Sequence, residues 1–139
     1  MIRLPEAAIE VIRNHGRESY RDEACGALYG RVHGDARDVV RAAPLGNARD
    51  NERHRRFVVT AEDYRKAEDE AARSGLTLLG FYHSHPDHPS RPSQFDTDHA
   101  WPGWSYMIAS VAQGKVAGVQ SWELNESEHR FDEERMEIE

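Results

Sequence analysis

Cysteine is nearly missing from this chain: its 139 residues hold one, Cys25. A single cysteine forms no internal disulfide. It also excludes structural zinc sites made of four cysteines, or of two cysteines and two histidines. Positive charge is short as well, with 18 basic against 25 acidic residues and a net charge of −7. Phosphate recognition needs positive charge, so neither nucleic acid nor an anionic membrane surface is an expected partner. Long apolar runs are lacking too. The longest strongly apolar one, Leu76 to Tyr82, is far too short to span a bilayer. Arg3, Glu6, Glu10 and Arg13 interrupt any signal-peptide core near the start. The expectation is a cytoplasmic protein.

What is present suits one enclosed core. A 38% hydrophobic content is ordinary for a globular domain, and the length needs no staples, so residues 1–139 are read as a single domain. There is no repeat, low-complexity block or long linker. Pro5 to about Ser19 reads as a helix, with Pro5 suited to the first turn and Gly16 weakening the last. Ala24 to Val32 and Asp38 to Leu45 read as strands. Gly46 to Arg56 is loop-like, and Phe57, Val58 and Val59 form a short extended run. Thr60 to Asp63 resembles a capping box opening a helix that runs to Arg73, with Gly75 as a stop signal. Leu76 to Tyr82 is a buried strand. Three prolines make Pro86 to Pro92 a loop. Ser93 to about His99 reads as a short helix, Tyr106 to Val111 and Val116 to Leu124 as strands joined near Gln113-Gly114. Arg130 to Ile138 reads as one edge strand. The mixture predicts an α/β or α+β domain around one sheet.

The chemistry concentrates where the Leu76–Tyr82 strand ends. His83 and His85 are one residue apart, and positions i and i+2 of an extended chain point the same way. Two imidazoles on one face are a ready pair of metal ligands. Asp96 follows eleven residues later, after a proline-stiffened loop that can return a carboxylate to the strand end. Two histidines and one carboxylate leave a fourth zinc position open, as catalytic sites do. A plainer reading stands beside this one. Ser93-x-x-Asp96 is also a helix cap, and the two roles are compatible, since a cap fixes where Asp96 points. His-Glu-x-x-His, Gly-x-x-x-x-Gly-Lys and Gly-x-Ser-x-Gly are all missing, and the zinc deaminase signature would need a second cysteine.

His83-Ser-His85, seven residues, then Ser93-x-x-Asp96 resembles the JAMM motif (His-x-His-x7-Ser-x-x-Asp) of the MPN+ metallopeptidases. A chance match somewhere in a chain of this composition is on the order of one in a thousand. Glu23-Ala24-Cys25-Gly26-Ala27-Leu28-Tyr29-Gly30 is similar to the family's Glu-x-Cys-Gly-x-Leu-x-Gly stretch. Gly80-Phe81-Tyr82 and Trp101-Pro-Gly also fit, so the resemblance runs from about Leu4 to Leu124. It implies a three-layer α/β/α domain with a central mixed sheet, JAB/MPN-like and similar in outline to the deaminase fold. It implies one zinc per chain on His83, His85 and Asp96. It also implies cleavage of a peptide or isopeptide bond after the C-terminal Gly-Gly of a ubiquitin-like or sulfur-carrier protein, for example to release a cysteine adduct. The chain has no room for the insertions with which eukaryotic members grip ubiquitin, and looks like the compact prokaryotic branch. Related domains can form homodimers.

In the mechanism this suggests, Glu23 takes a proton from water activated at zinc and delivers it to the leaving amine, while Ser93 donates to the developing oxyanion. Taken alone, Glu23 also reads as a solvated charge before a strand; the Cys25-Gly26 match singles it out over Asp22 or Glu18. Cys25 reads as core rather than nucleophile. Asp87, His88, Asp98 and His99 crowd the motif, either as outer partners of the metal site or as solvated loop residues. His15, His54 and His129 read as structural or surface residues. Arg53, His54, Arg55 and Arg56 form the one dense basic cluster, a solvated loop or a patch for an acidic partner. Trp101 and Trp104 either line a groove for an extended tail or pack in the core. Such a tail is expected as an added strand along a sheet edge. Two other functions stay open: a general small-peptide amidohydrolase on the same zinc site, and a non-catalytic MPN-like scaffold.

Overall fold

In the computed structural model, which describes residues 1–45 and 59–139, a mixed sheet is covered on both faces by helices. The elements run β1 (Ile2–Leu4), α1 (Glu6–Ser19), β2 (Cys25–His33), β3 (Ala36–Pro44), α2 (Ala61–Arg73), β4 (Thr77–Pro86), α3 (Gln94–His99), β5 (Ser105–Ala112), β6 (Lys115–Asn125), β7 (Arg130–Glu134) and β8 (Met136–Ile138). The strand order is β7-β6-β5-β4-β2-β3-β1-β8. β4 pairs antiparallel with β2 and parallel with β5, which makes the sheet mixed. The expected three-layer α/β/α architecture is borne out. The basic cluster Arg53–Arg56 lies outside the described residues, as do Phe57 and Val58.

Strand alternation sorts the side chains between two cores. Leu28, Leu79, Tyr82 and Met107 pack with Ile9 and Ile12 of α1. Ala27, Tyr29, Phe81 and Tyr106 pack on the other face with Ala67 and Ala71 of α2. A bulge sets the parity of β4. Leu28 pairs with Gly80 and Tyr29 with Leu78, so Leu79 has no partner across the ladder. Beyond it, Phe81, His83 and His85 share the α2 face, while Tyr82 and Ser84 turn toward α1. Helix α2 opens on a full capping box between Thr60 and Asp63 and stops before Gly75, whose φ of +68° suits glycine. Gly16, expected to weaken the last turn of α1, has a packing role there. It is buried, and a β-carbon there would lie 3.1 Å from Val111, so its small size lets the helix approach the sheet.

The sheet departs from expectation at its edges. Arg130 to Ile138 is not one edge strand but two, β7 and β8, at opposite ends of the strand order. A flat sheet of eight strands would hold its edges about 34 Å apart, at ~4.8 Å per gap. Arg135 alone separates the two strands, and two residues of chain reach only about 7 Å. The sheet therefore curls until its edges approach each other. A buried polar cluster pins the curl. The Glu134 carboxylate, 4% exposed, accepts from Ser105 Oγ at 2.7 Å, Ser121 Oγ at 2.8 Å and Arg37 Nη1 at 3.1 Å, which joins β3, β5, β6 and β7. Strand β1, unforeseen from the sequence, fills the gap between β3 and β8 with three residues. Pro86 ends β4 rather than opening the loop, and β3 begins at Ala36, two residues before the expected start.

Close backbone contact beside the site makes a test. A β-carbon on Gly80 would sit 1.9 Å from the Ser105 carbonyl oxygen across the β4–β5 ladder. Gly80→Ala is expected to cost about 3 kcal/mol or more, because backbone cannot yield as a side chain can. Gly34, in open space with φ +60°, should lose only about 1 kcal/mol on the same change, from its left-handed backbone. Urea midpoints of the two variants check the order.

Candidate metal centre

His83 and His85 stand at the C-terminal end of β4, 4% and 8% exposed. The Pro86–Pro92 segment turns the chain back, and α3 begins at Gln94 with Ser93 as its N-cap. The cap is reciprocal: the Asp96 N–H donates to Ser93 Oγ at 3.1 Å, and the Ser93 N–H donates to Asp96 Oδ2 at 2.8 Å. That same Oδ2 lies 3.1 Å from His85 Nε2, while Oδ1 lies 3.5 Å from His83 Nε2. Asp96 thus caps the helix and faces both imidazoles at once. The cap is present, and its geometry is compatible with the ligand role that the sequence set beside it.

The donor set fits zinc. Ligands 2.0–2.1 Å from a tetrahedral zinc stand about 3.3 Å apart. Here the two Nε2 atoms are 3.2 Å apart, and the carboxylate oxygens lie 3.1 and 3.5 Å from them. These residues form the one group of three potential ligands within mutual reach among the described residues. Orientation is enforced from behind. His85 Nδ1 donates to the Pro89 carbonyl at 2.8 Å, which leaves Nε2 to face the centre. Nothing in the sequence pattern named Pro89, because its contribution is a backbone oxygen; the only signal was a loop too proline-rich to move freely.

The electrostatics follow from this packing. Burial alone would push the Asp96 carboxyl up, but hydrogen bonds with His83 and His85 outweigh it and hold the group well below the usual carboxylate range. Burial alone would lower His85; its bonds to Asp96 and the Pro89 carbonyl win, and its pKa rises. Glu23 adds to that rise through its charge. Its placement follows from register. Cys25 pairs with His83 and Gly26 with Tyr82 at the start of the antiparallel ladder, and one step before it the Ser84 N–H donates to the Ala24 carbonyl, so Glu23 stands just ahead of β2 at the histidine end of β4. It is half-buried and lines a cleft with Glu18, Asp22 and Cys25.

The remaining residues singled out in the sequence fall elsewhere. Cys25 is buried, its Sγ 4.0 Å from the Leu45 carbonyl, as a core residue. Asp87 accepts from Tyr20 Oη and the Gln113 N–H. The His88 carbonyl accepts from Ser110 Oγ. Asp98 pairs with His129 at 2.9 Å. His99 stacks on Phe95 at the mouth of a small apolar cavity of about 20 Å³ beside His83 and Asp96, lined also by Ile108 and Phe131. Trp104 packs edge-on to Tyr64 and Phe81, while Trp101 is 41% exposed and stacks on Tyr64. His15 has a structural part: half-buried on α1 and lowered in pKa by desolvation, it is hydrogen-bonded through Nδ1 to the Tyr82 hydroxyl, 2.7 Å away.

Elemental analysis checks the centre. Protein purified without a histidine tag is expected to carry about one zinc per chain, and His85→Ala to lose it while keeping its circular dichroism spectrum. Protein that takes up no zinc even on reconstitution would leave Ser93 and Asp96 as a helix cap alone.

Comparison with known proteins agrees with the geometry. The family model for prokaryotic homologs of the JAB domain matches residues 5–125. A desampylase of Haloferax volcanii is 34% identical over 112 residues, 77% of this chain and 78% of that protein. The solution structure of a Desulfitobacterium hafniense protein superposes with a TM-score of 0.86 at 33% identity, over 100% of this chain and 93% of that one. A JAB1/MPN domain protein of Archaeoglobus fulgidus, 15% identical, shares the fold with a TM-score of 0.60 over 100% of this chain and 97% of its own. With its family model spanning most of the sequence and its zinc-spaced His83, His85 and Asp96 at the end of β4, the chain belongs to the compact prokaryotic branch of the JAMM/MPN+ zinc metallopeptidases.

Proposed function

We propose that this protein, acting as a single domain, hydrolyses the peptide or isopeptide bond that follows the C-terminal Gly-Gly of a ubiquitin-like protein. The observation that carries the reading is the zinc-spaced donor set of His83, His85 and Asp96, with the Glu23 carboxylate near enough for its charge to act on His85. The resemblance to the family supplies the substrate class, and the likeness to a desampylase supports it. A sulfur-carrier protein with a Gly-Gly tail, freed of a cysteine adduct, is the finer form of the same substrate. The cytoplasm is the proposed setting; among the described residues no helix is long and apolar enough to cross a membrane.

His83, His85 and Asp96 would hold the metal. Zinc bound there supplies Lewis acidity, which acidifies water and polarises a carbonyl. Glu23 takes the proton of the attacking water and delivers it to the leaving amine, the task of a general base and then acid. Ser93 Oγ accepts the Asp96 N–H, so its own proton remains for the developing oxyanion.

The test uses a ubiquitin-like protein whose terminal Gly-Gly is joined to the ε-amine of a lysine. Cleavage at that bond is expected. Glu23→Gln should retain zinc and lose about 10²- to 10⁴-fold in kcat. Normal turnover by that variant would remove Glu23 from the mechanism. Equal turnover of a short Gly-Gly-X peptide would favour a general amidohydrolase, and binding of the carrier without cleavage would favour a scaffold.

A further inference from the structure

The two histidines of the motif are separated by Ser84, and neither the metal nor the proposed chemistry uses it. Its position is unusual. It is 1% exposed, on the face of β4 opposite the histidines, with its β-carbon in reach of Gly16 on α1. Regular antiparallel pairing would exchange two backbone hydrogen bonds between Ala24 and Ser84. One is made: the Ser84 N–H donates to the Ala24 carbonyl at 3.0 Å. The other is rerouted, since the Ala24 N–H donates to Ser84 Oγ at 2.8 Å. The side-chain hydroxyl stands in for the strand's carbonyl just before the regular ladder begins at Cys25 and His83.

That bond holds the peptide unit between Glu23 and Ala24. The Ala24 N–H belongs to the same plane as the Glu23 carbonyl, so fixing it fixes the Cα from which the Glu23 side chain departs. Packing restrains the same strand two residues beyond Ala24. A β-carbon on Gly26 would lie 2.1 Å from the Tyr82 ring, so β2 rests directly on Tyr82, whose hydroxyl is tied to His15. Ser84 and Tyr82 alternate with His83 and His85. One stretch of β4 thus presents metal ligands on one face and a clamp for the acid–base strand on the other.

We propose that Ser84 is a positioning residue for Glu23: its hydroxyl, by accepting the Ala24 N–H, sets the distance between the general base and the His83–His85 pair. The inference rests on the role proposed for Glu23. General acid–base transfer depends steeply on placement, and a shift of about 1 Å can cost on the order of 10²-fold in rate.

The experiment compares Ser84→Ala and Ser84→Thr with the wild type, on the full chain. Ser84→Ala is expected to retain its zinc, to lower kcat about 10- to 100-fold with KM nearly unchanged, and to speed amide hydrogen exchange at Ala24 at least about tenfold. Ser84→Thr, which restores the hydroxyl, should recover both readings. In a Glu23→Gln background, adding Ser84→Ala should change kcat little, because the two act as one unit. If the alanine variant does not fold, Ser84→Cys, near in size with a poor acceptor, takes its place under the same expectations. Full kcat in Ser84→Ala beside an inactive Glu23→Gln would overturn the positioning role and leave Glu23 in place. Loss of zinc in Ser84→Ala would overturn it too, by placing the hydroxyl's effect on the metal ligands. An active Glu23→Gln would overturn the reading beneath both.

Discussion

The antiparallel register between β2 and β4 is the constraint on which the site depends. It sets Cys25 against His83 and Gly26 against Tyr82, with Glu23 just ahead of that first pair. A slip of one residue would turn Cys25 to the α1 face and displace Glu23 relative to the histidines. The register is held where slippage would be costliest. Gly26 admits the Tyr82 ring, Gly80 admits the Ser105 backbone, and the bulge at Leu79 fixes which face each later residue of β4 takes. Both faces of β4 are buried from Leu78 to His85, so burial alone does not choose the parity and these close fits do.

Around that strand pair the sheet acts as a rigid frame. Its curl is closed by the two-strand C-terminal segment and by the Glu134 carboxylate, which collects donors from three other strands. A buried carboxylate is tolerable only when its lone pairs are filled and a cation is near, and Arg37 with two serine hydroxyls meets both needs. The price of this arrangement is stability that depends on complete satisfaction of the cluster. Its benefit is an anchored β5 beside β4, the strand that carries His83 and His85.

The donor cluster shows how little local machinery a metal site needs once its frame is fixed. Two ligands come from strand alternation alone. The third comes from a six-residue helix whose capping box points the carboxylate, and a loop carbonyl from Pro89 turns the second imidazole. Each contribution is a common structural device, and their convergence within 4.8 Å gives a set suited to a catalytic metal.

Features carried by neighbouring residues were legible in the sequence. The His-x-His alternation, both capping boxes, the stop at Gly75 and the turn at Gln113-Gly114 are local, since propensity, pleat and hydrogen-bond geometry act within a few positions. The family resemblance rested on the same short motifs and carried the fold with them. What the tertiary structure decided lies between distant residues. Arg130 to Ile138 reads as one strand by pattern, yet it divides at Arg135 because a curled sheet brings two edges together. Pro89 enters the site through a backbone oxygen that no side-chain pattern records. Ser84 carries no assigned role in the motif, and its partner is the N–H of Ala24, 60 positions away. Composition and periodicity report which face a residue prefers; only chain folding decides what stands across from it.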